Sequence, residues 1–152
     1  MKVTLNLLQA TLMLLSALSV LTYGPPLEKT QEGELTVELE GIKKDKGQIV
    51  FLLFDQSDGF PREVDKAKAK GIVLNFDETA SYTFKNLSYG TYSVAVFQDL
   101  DKNLEIDSNL IGMPKEPVGA SNMNSMGRPN FEKCSFELKE ASQTIRLQFI
   151  LQ

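Results

Sequence analysis

Between residues 34 and 40 apolar and polar side chains alternate without a break. Leu35, Val37 and Leu39 stand against Glu34, Thr36, Glu38 and Glu40. A period of two is the mark of a strand with one dry face and one wet face. The alternation returns at Tyr82 and Phe84, at Tyr92, Val94 and Val96, at Cys134, Phe136 and Leu138, and at Ile145, Leu147, Phe149 and Leu151. Residues 47–55, GQIVFLLFD, are apolar at every central position. That run predicts a central strand covered on both faces. A shorter apolar run at 72–76 predicts another strand. Turn-forming residues separate these segments at 41–46, 56–59, 86–90 and 140–142. Residues 62–70 mix Lys and Ala with Glu and Asp, and fit either a helical turn or a solvated crossing. About seven strands, with no long helix beyond the first residues, predict an all-β, immunoglobulin-like β-sandwich. No Cys–Trp–Cys arrangement is present, so an antibody-type domain is excluded.

The first 22 residues follow a different pattern. A single Lys precedes an apolar run that ends near the small residues Ala17 and Ser19. This predicts an N-terminal signal helix, and hence a periplasmic or extracellular protein. An uncleaved N-terminal anchor is the alternative, and only then would the chain meet a membrane. Residues 23–32, with Gly24, Pro25 and Pro26, read as a linker, and residues 33–152 as the sandwich domain with a long loop at 97–130.

Composition narrows the chemistry. The chain has no histidine, which removes the commonest general base and the commonest zinc ligand. Cys134 is the only cysteine, so no disulfide forms within the chain, and its strand-like surroundings predict a buried thiol. With a net charge of −4 and no basic stripe, nucleic acid is not an expected partner.

The long loop concentrates what remains. Asp99, Asp101, Asn103, Glu105 and Asp107 occur at every second position. Hard cations such as Ca²⁺ take six to eight oxygens, and a tight loop supplies several when acidic and amide groups recur this way. An EF-hand is excluded, because Leu104 stands where its glycine is needed and Leu110 where its bidentate Glu is needed. A looser Ca²⁺ loop on a β-scaffold is one reading. The other is ordinary turn chemistry, in which Asp and Asn bond nearby amides. Crowded carboxylates repel unless a cation sits among them, and Lys102 is the only internal one. Prolines and glycines continue the segment through 122, and long ordered loops on rigid scaffolds are where binding usually resides.

Several motifs carry a resemblance. Gly47-Gln48-Ile49, Leu53-Phe54 and Gly59-Phe60-Pro61 are followed by Leu87, Gly90 and Tyr92, by Asp99, Asn103 and Asp107, by Gly112, Pro114, Glu116, Gly119, Ser121 and Asn122, and by Pro129 and Phe131. In these residues the chain resembles the bacterial domain of unknown function 2141 over about 35–151. The resemblance implies an exported β-sandwich of prealbumin-like type, similar to transthyretin-like and carboxypeptidase-regulatory domains, and it implies no established activity. Gln98 stands where the family has His, Asp101 where it has Asn, and Leu104 where it has Gly, so no role of that His passes to Gln98. Ser88 and Tyr89 replace two prolines. Gln98, Gly112, Pro114, Glu116, Gly119, Ser121 and Asn122 are the binding-loop candidates.

The expected function is a non-catalytic binding or accessory module whose loop holds Ca²⁺, with an envelope protein or a small ligand as partner. A structural or adhesion role is the alternative. A hydrolase using Asp99 and Glu116 stands behind both, since no nucleophile–base pair is visible without His.

Overall fold

The computed structural model describes residues 31–151, apart from 44 and 126. The predicted signal helix or anchor lies outside the described residues. Among the described residues no helix is long and apolar enough to cross a membrane.

The described residues are all-β and form two sheets. The strands are β1 Glu32–Glu40, β2 Gln48–Phe54, β3 Ala69–Val73, β4 Thr79–Ser88, β5 Gly90–Asp99, β6 Val118–Ala120, β7 Phe136–Leu138 and β8 Ser142–Gln148. One sheet has the order β4-β1-β8, with β1 and β8 parallel. The other runs β3-β2-β5-β6, and β7 also pairs with β5. A single helical turn, α1, covers Phe131–Cys134.

The alternation read in β1 is the core itself. Leu35, Val37 and Leu39 from one sheet pack with Ile49, Phe51, Leu53, Val94 and Val96 from the other. Full burial of each such side chain stabilises the fold by about 1.5–3 kcal/mol. The continuous apolar run of β2 has a second cause. Its other face, Val50, Leu52 and Phe54, joins Ala95 and Phe97 of β5 in a separate cluster. Among the described residues no third sheet covers that cluster. Side chains from irregular segments do so: Phe60, Val64 and Ala67 before β3, Leu104 and Ile106 after β5, and Phe131 of α1. Phe60 sits edge-on to both Phe54 and Phe131, with ring centroids 5.3 and 6.1 Å apart. The long loop therefore roofs the outer face of the larger sheet.

Three boundaries differ from the sequence reading. Residues 131–134 form a helical turn, because the Asn130 side chain accepts the Lys133 backbone N–H at 2.9 Å and caps it. The strand predicted at 72–76 lies at Ala69–Val73, where small Ala69 and Gly71 pass close under the other sheet. A Cβ at Gly71 would come 2.3 Å from the Tyr82 ring, whereas Leu74 is 60% exposed. An eighth strand, β6, lies inside the predicted loop. Its Gly119 has no room for a Cβ, which would stand 2.6 Å from the Gln148 carbonyl oxygen. The segment left open at 62–70 contains a 3-10 turn at Val64–Lys66.

Candidate functional site

The acidic segment begins at the buried end of β5. Asp99 is fully buried, and its carboxylate is an acceptor for three donors. Gln48 Nε2 donates to Oδ2 at 2.7 Å, the Leu104 N–H to Oδ2 at 3.0 Å, and the Asn103 N–H to Oδ1 at 3.1 Å. Gly47, with φ +82°, lets the chain press against the Asp99 carbonyl, where a Cβ would stand 2.1 Å away. Gln98, beside it, donates from Nε2 to the Lys46 carbonyl at 2.7 Å. The two ends of β2 and β5 thus hold the root of the loop.

Beyond Asp99 the chain coils tightly. Lys102 and Leu104 both take φ +63°, the left-handed region. Leu104 stands where the sequence reading expects a glycine, and the backbone does adopt the conformation that favours glycine, at a cost of about 1–2 kcal/mol. Its half-buried side chain packs onto the outer-face cluster, which offsets the strain. Asp101 and Asn103 are exposed and close local turns. Asp101 accepts the Asn103 N–H at 3.3 Å and Nδ2 at 3.1 Å, and Asn103 Oδ1 accepts the Glu105 N–H at 2.6 Å.

Glu116 returns to this root from the far side of the loop and is buried. Its Oε1 accepts the Leu100 N–H at 2.8 Å and its Oε2 the Asp107 N–H at 3.2 Å. Burial raises its pKa. The two backbone donors pull the other way, and the nearby Asp99 and Asp107 carboxylates push it up further. Asp99, Asp101 and Glu116 each bring one oxygen within 4.8 Å of the others. Glu105 and Asp107 stand outside that group and are exposed. The structure thus unites two of the five predicted metal ligands with a residue read as part of the binding loop. A divalent cation there would find three carboxylates. All six of their oxygens already accept hydrogen bonds.

The remaining loop candidates have these places. Gly112 turns at φ +79°, and Pro114 bridges to Ser108. Between them lies a closed tip organised by Asn109, whose Oδ1 accepts the N–H groups of Ile111 and Met113 at 3.1 and 2.9 Å. Gly119 and Ser121 lie along β5. Ser121 Oγ accepts the Val94 N–H at 2.9 Å and lies 2.6 Å from the Cys134 carbonyl, to which it donates. Asn122, at φ +57°, donates Nδ2 to the Ser135 carbonyl at 2.7 Å. These side chains join the end of the loop to α1.

A cleft of about 960 Å³ lies where the three roofing segments meet. Phe60, Ile106, Ile111, Met113 and Phe131 form its walls, with Ala95, Val118 and Gly119 along its floor. Arg62 and Arg128 stand at the same cleft. Ile111 is 84% and Leu110 fully exposed at the tip beside it. A smaller cavity of about 440 Å³ near β1 and β4 is polar, lined by Glu38, Glu40 and Thr79. Arg146 already engages both of those carboxylates. The larger cleft has no single sequence motif. Its one visible signal is the run of apolar residues, Leu110, Ile111 and Met113, in an otherwise polar loop.

The family model described as "Uncharacterized protein conserved in bacteria (DUF2141)" matches residues 37–146. The chain belongs to that bacterial family. The matched span holds β2 to β7 and parts of β1 and β8, together with the acidic loop root of this DUF2141 chain, Glu116 and the cleft walls. No curated protein and no solved structure matches the chain. Gln98, Asp101 and Leu104 all lie at the loop root, where Leu104 of this DUF2141 chain packs against the outer-face cluster.

Proposed function

We propose that the chain is an exported, non-catalytic binding module with an immunoglobulin-like, prealbumin-like sandwich, which takes its ligand in the cleft on the outer face of the larger sheet. The observation that carries this reading is the cleft itself, about 960 Å³ with mainly apolar walls. Ligand sites are concave, largely apolar and of this size. The cleft is built by ordered irregular segments on a rigid sheet, which is where binding groups concentrate. Export is supported by the leader pattern at residues 1–22. The non-catalytic reading is supported by Asp99 and Glu116, the acid pair a hydrolase would use, because both hold backbone N–H groups inside the fold. Ca²⁺ at Asp99, Asp101 and Glu116 is part of the proposal as a clamp on the loop root, supported by the convergence of three carboxylates. Docking of a partner protein would use the same face, and the exposed Leu110 and Ile111 favour that second reading.

The test is binding of a neutral solvatochromic dye such as Nile red to the full chain, compared with Ile111→Asp and Met113→Asp. Both residues are exposed, so the fold should tolerate either change. The apolar leader is common to all three proteins, so the difference reports the cleft. Saturable binding that both substitutions weaken by about tenfold or more is expected. Equal binding by all three would remove the cleft from the account.

A further inference from the structure

The cleft carries more than apolar walls. Arg62 and Arg128 both line it, and neither forms an ion pair among the described residues. Arg62 donates Nη2 to the Gly112 carbonyl at 3.0 Å, which fixes the guanidinium beneath the loop tip while its charge stays uncompensated. Two carboxylates share the cleft. Glu63 is engaged by Lys66 at 3.2 Å, whose ammonium also holds Asp58 at 3.0 Å. Glu132 of α1 is exposed and also lines the cleft, so one carboxylate stands there against the two guanidinium groups. In a chain of net charge −4, the cleft therefore concentrates two uncommitted guanidinium groups beside Phe60, Ile111, Met113 and Phe131. A guanidinium fork matches carboxylate and phosphate oxygens, and it is weakly hydrated enough to work against an apolar wall.

We infer that the ligand is an amphiphilic anion, an apolar chain that lies along the floor at Ala95, Val118 and Gly119 with its carboxylate or phosphate between Arg62 and Arg128. This rests on the cleft being the binding site. The small floor residues leave room for the chain above the sheet, and the exposed Ile111 and Met113 cover its far side.

The experiment measures displacement of bound Nile red from the full chain by decanoate, decyl phosphate and decanol. These share one tail length and differ in the head. Both anions are expected to bind at least about tenfold tighter than the alcohol. Arg128→Gln and Arg62→Gln should each reduce that preference by about threefold to fivefold, and together abolish it, with decanol affinity unchanged. Arg128→Lys should restore part of it. The tighter of the two anions names the source, a free long-chain carboxylate or a lipid phosphate. Equal binding of all three heads, or a preference that survives in the double variant, overturns the anion assignment and leaves the apolar cleft standing. Displacement by none of them overturns both.

Discussion

Gln48 Nε2 lies 2.7 Å from Asp99 Oδ2, a buried bond between the first residue of β2 and the last of β5. It converts the end of a strand pair into the anchor of the acidic loop. The Asp99 carboxylate is then held by one side chain and two backbone N–H groups with no solvent contact. Loss of either partner leaves buried polar groups unsatisfied. Gln48→Ala should cost about 1.5–3 kcal/mol, and Asp99→Ala at least about 3 kcal/mol, since three donors lose their acceptor. Urea midpoints measure both, and an Asp99→Ala variant as stable as wild type would show that the loop root contributes nothing to the fold.

Leu104 offers an unusual inversion. Its backbone sits at φ +63° and its side chain packs on the outer-face cluster. Leu104→Ala loses the packing and keeps the strain, while Leu104→Gly loses the packing and relieves the strain. The glycine variant should therefore be more stable than the alanine variant by about 1 kcal/mol, the reverse of the usual order. Thermal midpoints of the pair decide it, and an alanine variant that melts higher would contradict the strain argument.

The convergence of Asp99, Asp101 and Glu116 sets up a metal test. Ca²⁺ at millimolar concentration should raise the thermal midpoint by several degrees over the same chain in excess chelator, because an ion that binds only the folded state stabilises it. Glu116→Gln should remove most of that shift. Identical midpoints with and without chelator would return the cluster to ordinary loop chemistry.

Cys134 is fully buried and its thiol pKa is raised by burial, against weaker opposing effects from the Asn130 backbone and Lys133. In the unfolded chain a thiol ionises near pH ~8.5. Above that pH the unfolded state loses its proton while the folded state keeps it, so this group's contribution to stability falls as pH rises. Folded protein should resist alkylation at pH ~8.5 until denaturant is added. The decline in stability above that pH should be shallower in Cys134→Ala than in wild type. Rapid labelling of the native chain would be incompatible with the buried position.

The alternation at 34–40 and the unbroken run at 48–54 were enough to place β1 and β2, because each strand face meets one environment and the residue types report which. Asp99 and Leu104 were also visible as the loop's critical positions, since acidic spacing and an absent glycine are local features. Other features could not be read. The three residues of β6 are too few to show a period, and their pairing depends on β5 being alongside. The α1 turn depends on one cap at Asn130 within a segment that alternates like a strand.

By itself the sequence determined the strands other than β6, the two-sided burial of β2, the family and the acidic character of the loop, all of which follow from residue type and short-range spacing. Only the tertiary structure decided that Glu116, and neither Glu105 nor Asp107, joins Asp99 and Asp101. That choice arises from the loop folding back on itself, which brings distant oxygens together and leaves near ones in solvent. The same return lays Ile106, Ile111 and Met113 beside Phe60 and Phe131 to make the cleft. Contacts between segments far apart in the chain depend on how the backbone closes, and no periodicity along the chain encodes them.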